Sequence, residues 1–246
     1  MSLTVDAAPD LTAGTVRLTV AASGSVLSVT RSDPNGTRPV RLIGGYLPKT
    51  GTFSFTDYEP ALTGQVQYRV KTSTEEAAAW TTLGSQLPRF VMPSIPLFSV
   101  EVETVYAYSG PRSSRATVHE VVGRRDPIIV QGKLGTRRGS LGILCPDHDA
   151  VMRLVAMFER GQTVLYRQSE HPGLDMYFIP VEVSPAPSGK SWELSVSYVE
   201  MDYPAGDVQS DPDWTFSKLA ATGGTFDAVA ANYRTFVDLV LGEAGE

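Results

Sequence analysis

Short stretches in which apolar and polar residues alternate recur along the first third of the chain. They lie at 16–20, 26–29, 39–43, 52–56 and 65–71. Alternation with a period of two predicts half-buried β-strands. Between two of these stretches lies Asp33-Pro34-Asn35-Gly36, which predicts a tight hairpin turn because Asn-Gly readily adopts positive φ. Short strands with frequent turn signals predict a β-sandwich.

The flanks of this region lack the alternating pattern. Residues 1–12 are predicted to form a mobile arm, and residues 75–80 a loop or a single helical turn. A boundary follows at 86–96, where three prolines in nine residues disfavour helix and stiffen the link. We therefore place the first domain at residues 1–92.

A second region combines further strands with a single amphipathic helix. The strand-like runs lie at 97–108, 116–122, 128–130, 140–144, 163–167, 177–183 and 192–201. The helix is predicted from 146 to about 160, and its apolar stripe is Val151, Leu154, Val155 and Phe158. Pro146 suits the first helical position, Asp147 and Asp149 suit the first turn, and Gly161 ends the helix. This predicts a β-barrel or sandwich over residues 93–205 with the helix laid on it.

The composition changes again after residue 205, where a polar linker is followed by a Thr-Phe pair repeated three times at a ten-residue step. From Thr225 onward the apolar residues share one helical face, and Gly242 ends it. We predict a linker and C-terminal amphipathic helical segment at 206–246, which either packs on its own barrel or docks on a neighbouring subunit. The docking candidates are Trp214, Phe216, Phe226, Tyr233 and Phe236.

The overall composition is that of a globular protein with modest domains. The chain has 246 residues, a net charge of −6, 42% hydrophobic residues and a single cysteine. The charge gives no general attraction to nucleic acid or anionic membranes, and one cysteine excludes an internal disulfide. The N-terminus lacks the pattern of a secretory signal, and no apolar run reaches 18 residues, so we expect no membrane insertion.

Positive charge is concentrated in one stretch. Residues 112–138 contain seven Lys and Arg against Glu120 and Asp126, which gives +5 there and −11 for the rest of the chain. Three interpretations are open. The stretch forms a solvated loop face, it binds nucleic acid, or it makes complementary contact between copies in a closed ring. For nucleic-acid binding, the stretch lacks the interleaved aromatic residues typical of such sites. For the third, the candidate subunit-interface residues are Arg124, Arg125, Lys133, Arg137 and Arg138.

Catalytic patterns are weak. His119, His148 and His171 have no second His or Cys at metal-ligand spacing, and Cys145 before a helix is more simply a small buried residue than a nucleophile. The Ser188-Gly189-Lys190-Ser191 run lacks the first glycine of a phosphate-binding loop. Paired acids such as Glu101/Glu103 and Glu200/Asp202 are typical of the solvent-exposed face of a strand. We expect no enzyme activity, no cofactor and no metal.

Two resemblances give these features a context. The spacing of Leu62 and Tyr68 resembles the tyrosine corner of fibronectin type III domains, in which a phenol hydrogen-bonds back to the preceding backbone turn. The Trp that this family usually carries in an early strand is not evident here. The alternative is that Tyr68 is a half-buried aromatic residue of a strand. The order of motifs in the second region resembles minor tail proteins of long-tailed actinobacteriophages. The motifs are Arg124-Arg125-Asp126-Pro127, Gly135-Thr136-Arg137-Arg138-Gly139, the helix, Val164-Leu165-Tyr166-Arg167 and the run from Trp192 to Pro204. This order is similar, more loosely, to the ring domain of distal tail proteins.

This resemblance implies a mainly β structural virion protein: a fibronectin III-like sandwich, a ring-forming barrel and a helical docking segment. Its expected partners are copies of itself in a six-fold or three-fold ring, the tail tube protein, other tail-tip proteins and, through the sandwich, host surface glycans. The rival from another class is a carbohydrate-binding or adhesin module, in which Tyr46, Tyr58 or Tyr106 stacks on sugar rings.

Overall fold

The computed structural model describes residues 2–42, 50–84 and 87–204, and they are mainly β. The strands are, in chain order, β1 (Thr4–Asp10), β2 (Thr15–Ala22), β3 (Val26–Asp33), β4 (Gly36–Pro39), β5 (Gly51–Asp57), β6 (Gln65–Thr72), β7 (Glu76–Thr82), β8 (Arg89–Val91), β9 (Val100–Glu101), β10 (Thr104–Ser109), β11 (Thr117–His119), β12 (Ile128–Val130), β13 (Arg138–Cys145), β14 (Val164–Arg167), β15 (Met176–Ser188) and β16 (Ser191–Met201). The α-helix of the described residues is α1 (His148–Phe158), and short 3-10 helices lie at Pro96–Phe98 and Pro172–Leu174.

The described residues form two compact units. The first, the sandwich unit, contains residues up to 101 together with 164–175. The second, the helix-bearing unit, contains residues 102–163 and 176–204.

Two antiparallel sheets make up most of the sandwich unit, in the orders β1-β2-β5 and β4-β3-β6-β7. Their strands alternate buried and exposed residues, and the buried ones from both sheets form one core. The central members of that core are Leu18, Val20, Val29, Phe53, Phe55, Tyr68 and Val70. The predicted β-sandwich character is therefore confirmed.

The predicted Asn-Gly hairpin is confirmed as the connection of β3 and β4. Asp33 pairs with Gly36 across the turn, and Gly36 has φ 110°, a conformation that glycine adopts without a Cβ clash. The Asn35 backbone N–H donates to Asp33 Oδ1 at 2.9 Å, the local bond that favours Asp and Asn in turns.

Two segments that lacked a strand pattern are strands. Residues 1–12 were predicted to be mobile, but Thr4–Asp10 pairs with β2 along its whole length, and Leu3 is buried in the core. Residues 75–80 were predicted to be a loop or helical turn, but Glu76–Thr82 pairs with β6. Both predictions were wrong because ladder pairing to an established strand outweighs weak intrinsic β propensity.

The predicted linker region is also partly regular. β8 pairs with β9 and with β14, so residues 164–175 of the sandwich unit return from a distant part of the sequence. Arg167 at the end of β14 is almost fully buried, and its Nη1 donates to the carbonyl oxygens of Gly14 at 3.0 Å and Pro60 at 2.7 Å. The strand predicted over 97–108 is divided into a 3-10 turn, β9 and β10, because Pro96 begins a helical turn there.

In the helix-bearing unit, four antiparallel strands lie in the order β10-β13-β16-β15. Helix α1 packs on this sheet through the buried residues Val151, Leu154, Met157 and Phe158. Phe158 meets Phe178 of β15 at a ring-centroid distance of 6.3 Å. The single amphipathic helix is confirmed, although Met157 rather than Val155 completes its buried stripe.

The helix begins slightly later than predicted. Asp147 is the N-cap, and its Oδ1 accepts a hydrogen bond from the Ala150 backbone N–H at 2.8 Å. Pro146 therefore precedes the cap rather than occupying the first helical position, because a side-chain acceptor defines the helix start more strongly than proline does. The predicted stop is confirmed by Gly161, which has φ 64°.

Candidate interaction site

The most exposed part of the helix-bearing unit is the long connection between β10 and β13. We call residues 110–137 the arm. Its outer half is the two-stranded hairpin of β11 and β12, in which Thr117 pairs with Val130 and His119 with Ile128. The hairpin ends in a turn where the Arg124 N–H donates to Val121 O at 3.1 Å and Gly123 has φ 86°.

The inner half of the arm is held by a few backbone contacts. Ser114 bridges to Leu134, the Gly135 N–H donates to Ser113 O at 2.9 Å, and the Arg138 N–H donates to Pro111 O at 3.2 Å. The two sides of the arm are therefore paired from root to tip. The predicted strand at 128–130 is confirmed, and that at 116–122 is confirmed over 117–119.

Large apolar side chains of the arm lie in solvent. Every residue from 117 to 134 is exposed. The exposed apolar side chains are Val118, Val121, Val122, Ile128, Ile129, Val130 and Leu134. In a hairpin, neighbouring residues face opposite sides, so both faces of the arm are apolar. A two-stranded hairpin gains little stability alone, and a contiguous exposed apolar surface of this kind marks an interaction site.

Positive charge accompanies these apolar side chains. Arg124, Arg125 and Lys133, three of the predicted interface residues, are exposed on the arm. Arg138 at its root, where β13 begins, is also exposed. The structure thus brings four of the five predicted residues onto one exposed element and its base.

The fifth predicted residue, Arg137, is engaged within the unit. Its Nη2 lies 2.6 Å from Glu200 Oε1, its Nε donates to the same oxygen at 2.8 Å, and its Nη1 donates to the Tyr108 hydroxyl at 3.0 Å. Burial alone would raise the pKa of Glu200, but the hydrogen bonds from Arg137 outweigh it and lower that pKa. Arg112 lies 3.7 Å from the same carboxylate. Arg137 therefore anchors the root of the arm to β16.

A pocket of about 270 Å³ lies at this root. It is lined by Ser113, Ser114, Arg115, Thr136 and Arg138, together with Pro111 and Gly135. No pattern in the sequence indicated it, because its walls come from both sides of the arm and meet only through the backbone pairing.

A second surface feature surrounds Tyr106 on β10, a residue of the carbohydrate-binding alternative. The Tyr106 ring is 53% exposed and lies over Gly142, where a Cβ atom would approach within 2.7 Å of the ring. Its hydroxyl donates to Glu193 Oε2 at 3.1 Å, and this bond raises the pKa of Tyr106. Glu193 Oε1 accepts from Ser188 Oγ at 2.7 Å. Of the other two candidates, Tyr58 is half-buried, and Tyr46 lies outside the described residues.

The polar interior of the sandwich unit is built on ion pairs. Arg31 Nη1 donates to both carboxylate oxygens of Asp57, at 2.9 and 2.8 Å, and Arg41 Nε donates to Glu59 Oε1 at 2.6 Å. Burial lowers the pKa of Arg31, but Asp57 and Asp33 outweigh it and raise that pKa well above its usual value. No sequence motif marks these pairs, because their members lie 26 and 18 residues apart and only the fold brings them together.

Tyr68 joins this ionic cluster. It is fully buried, and its hydroxyl donates to Asp57 Oδ2 at 3.0 Å. Burial and the neighbouring carboxylate raise the pKa of Tyr68 well above its usual value. The predicted bond from its phenol to the backbone of the preceding turn was therefore wrong, since a buried carboxylate is the stronger acceptor.

Cys145 and the three histidines considered for catalysis lie on different elements. Cys145 ends β13 and is buried, and burial, followed by the charge of Asp147, raises the pKa of its thiol. His119 lies on β11, His148 begins α1 and His171 lies in a turn. Within residues 2–42, 50–84 and 87–204, no group of three or more His, Cys, Asp or Glu side chains is placed to hold a metal ion.

The predicted docking segment, with Trp214, Phe216, Phe226, Tyr233 and Phe236, lies outside the described residues. Among the described residues, no helix has the length and apolar character needed to cross a membrane. Comparison of the chain with protein-family models, with curated proteins and with solved structures finds no match.

Proposed function

We propose that this chain is a structural minor tail protein of a long-tailed bacteriophage, which assembles with copies of itself into a ring that joins the tail tube to the tail tip. It acts in the virion and performs no reaction. The ring has six or three copies. The motifs around Arg124, Gly135 and Trp192 resemble those of this family and suggest the assignment. The exposed surface of the arm gives the physical reason to expect self-association.

The observation that carries the proposal is the arm. It presents large apolar side chains on both faces of a hairpin and places Arg124, Arg125 and Lys133 among them. Leaving such a surface in water is unfavourable, at about 25 cal/mol per Å² of apolar area. A neighbouring copy that covers the arm recovers this free energy, and the net charge of −11 on the rest of the chain favours contact with the basic groups of the arm.

The architecture supports the same assignment. The orders β1-β2-β5 and β4-β3-β6-β7 are similar to the three- and four-stranded sheets of fibronectin type III domains. A four-stranded antiparallel sheet with one helix on it is the arrangement expected of a tail-ring domain. Among the described strands, β10 forms an edge of that sheet, next to the root of the arm, and an edge strand offers backbone groups to a further chain.

The proposal assigns different roles to the predicted interface residues. Arg124, Arg125 and Lys133 contact the neighbouring copy from the arm, and Arg138 lines the pocket at its root. Arg137 acts indirectly, because its bonds to Glu200 and Tyr108 hold the arm in position.

The test is the mass of the full chain against concentration, measured by analytical ultracentrifugation and light scattering at low salt. We expect concentration-dependent formation of a closed oligomer. Charge reversal in the variant Arg124→Glu/Arg125→Glu should weaken assembly at least about tenfold, since like charges then face one another across the contact. Raising the salt concentration should weaken wild-type assembly in the same direction.

The matched control is Arg17→Glu, an exposed arginine on β2 far from the arm in the sequence. It should assemble like the wild type. A chain that stays monomeric at all concentrations, even when mixed with its tail tube partner, would contradict the proposal. So would equal assembly of the arm variant and the wild type.

A second candidate function rests on Tyr106. Its exposed ring, braced by Gly142 beneath and Glu193 at its hydroxyl, is the kind of flat aromatic surface on which a sugar ring stacks. A monomer that binds soluble polysaccharide and loses that binding in Tyr106→Ala would favour a carbohydrate-binding module over a ring protein.

A further inference from the structure

The pocket at the root of the arm concentrates hydrogen-bond donors around an open volume. Two arginines, Arg115 and Arg138, and three hydroxyl-bearing residues, Ser113, Ser114 and Thr136, line about 270 Å³. The Ser114 hydroxyl is directed at Gly132 O, 3.5 Å away. Its lining contains no carboxylate among the described residues.

The two guanidinium groups differ from their neighbours in having no internal counter-charge. Arg112 and Arg137 both contact the Glu200 carboxylate. In the part of the chain that the structure describes, no ion pair or side-chain hydrogen bond occupies Arg115 or Arg138. Two positive charges therefore face the same pocket uncompensated, which disfavours the empty site and favours an anion in it.

The backbone fixes the spacing of the pocket walls. The Gly135 N–H donates to Ser113 O at 2.9 Å, and the Arg138 N–H donates to Pro111 O at 3.2 Å. The Ser114 Oγ accepts from the Ala116 N–H at 3.0 Å, so its position is also set. These bonds tie both strands of the arm root together and fix the backbone from which the pocket side chains project. Such preorganisation lowers the cost of binding.

We propose that this pocket binds a tetrahedral oxyanion, namely a phosphate group carried by a larger ligand. The planar guanidinium group matches the geometry of phosphate oxygens, and the hydroxyls of Ser113 and Thr136 supply further donors. A phosphate group carries about −1.5 to −2 charges at neutral pH, which balances two guanidinium groups, whereas one carboxylate balances only one. The volume lies just below the range of about 300–1,000 Å³ usual for drug-sized ligands, so it suits one phosphate with a small adjoining group.

The test is a titration of the isotope-labelled full chain with inorganic phosphate at constant ionic strength, followed by backbone amide NMR. The expected result is saturable shifts of amides around Ser113, Gly135 and Thr136, and weaker shifts with the monoanion acetate. Each single variant, Arg115→Ala and Arg138→Ala, should reduce the affinity for phosphate about tenfold, the effect of losing one charge-assisted hydrogen bond.

The control is the double variant Arg153→Ala/Lys190→Ala, which removes two exposed positive charges from the same unit, outside the pocket lining and outside the proposed subunit contact. It should bind phosphate like the wild type. Both arginines of the pocket are exposed, so their replacement leaves the fold intact, which the unperturbed amide spectrum of each variant verifies.

Three results would overturn the proposal. The first is no saturable shift with phosphate. The second is an equal loss of affinity in the control variant, which would assign the effect to the general positive charge of the helix-bearing unit. The third is acetate binding as tightly as phosphate, which would identify the pocket as an acceptor for a carboxylate of another copy. Saturable phosphate binding by a chain that stays monomeric would support this proposal while the tail ring fails. A ring that binds no phosphate would do the reverse, so the two proposals fail separately.

Discussion

At the scale of single residues, Arg31 holds the interior of the sandwich unit together. It is 3% exposed, its Nη1 bonds both oxygens of Asp57, and its Nε lies 2.9 Å from Asp33 Oδ2. The same carboxylates also satisfy backbone groups, since Asp57 Oδ1 accepts from the Glu59 N–H and Asp33 Oδ2 from the Ala61 N–H. One arginine therefore supports two carboxylates that in turn shape the connection after β5.

Replacing this arginine should destabilise the protein strongly. Arg31→Leu leaves Asp33 and Asp57 buried without their counter-charge, and breaking a buried pair in this way costs about 3–5 kcal/mol. Urea unfolding followed by circular dichroism measures the change. The control Arg69→Ala breaks the exposed pair with Glu76, whose side chains are 53% and 46% exposed, and should change stability by less than about 1 kcal/mol. Equal losses in the two variants would refute the role given to Arg31.

A second residue, Asp175, makes stability depend on pH. Its carboxylate accepts from Asn35 Nδ2 at 2.8 Å and from the Gln168 N–H at 3.0 Å. Burial raises the pKa of Asp175 to about 6, although the Asn35 bond opposes the rise. Because this folded-state pKa lies above the unfolded value of about 3.9, the folded chain binds the proton more tightly.

The sign of the effect follows from that difference. Between about pH 4 and pH 6 the folded state holds a proton that the unfolded state has released, so the contribution of Asp175 to the free energy of unfolding falls as pH rises through this window. Asp175→Asn should remove up to about 3 kcal/mol of this change. The measurement is the difference in unfolding free energy between variant and wild type at pH 4 and pH 7, with Asp6→Asn on the exposed side of β1 as control. A difference that is the same at both pH values would exclude the assignment.

At the scale of elements, the approach of β10 to β13 requires a glycine. A Cβ atom at Gly139 would lie 1.8 Å from the backbone oxygen of Ser109, and that oxygen also accepts the Tyr198 hydroxyl at 3.0 Å. A side chain at this position has to push the two strands apart at the root of the arm.

Gly139→Ala should therefore cost about 1–3 kcal/mol, the usual effect of forcing extra volume into a packed site. Gly24→Ala is the matched control, since a Cβ atom there would meet nothing within 4 Å. Its effect should stay within about 0.5 kcal/mol. Thermal and urea unfolding of both variants make the comparison, and similar stability of the two would show that the strands tolerate a wider spacing.

Elements with strong local signals were predictable, and elements defined by their neighbours were not. The Asn35-Gly36 hairpin and helix α1 carry their own turn, cap and periodicity signals. β1 is a strand because it pairs with β2, and β7 is a strand because it pairs with β6. The sequence of β1 alone resembles a mobile terminus, and that of β7 alone resembles a loop or helical turn. The strand propensity of Ile128-Ile129-Val130 was also informative, but propensity does not tell whether a strand is covered.

At the scale of the whole molecule, charge and apolar exposure coincide in the arm. The uneven charge was visible in the sequence as +5 over 112–138 against −11 elsewhere. Only the structure shows that the positive charge lies beside the exposed side chains of Val122, Ile129 and Leu134. Only the structure also distinguishes Arg137, which is paired with Glu200, from Arg138, which is exposed. A solvated loop gains nothing from apolar side chains, whereas a subunit contact does.

The return of residues 164–175 to the sandwich unit makes that unit discontinuous in sequence. A fragment that stops at residue 101 would lack Arg167, the donor to the Gly14 and Pro60 carbonyls, and Tyr166, which stacks on Phe90 at 5.1 Å. No single cut in the chain separates the two units intact. During synthesis, the first unit is complete only after most of the second has left the ribosome, so both mature together.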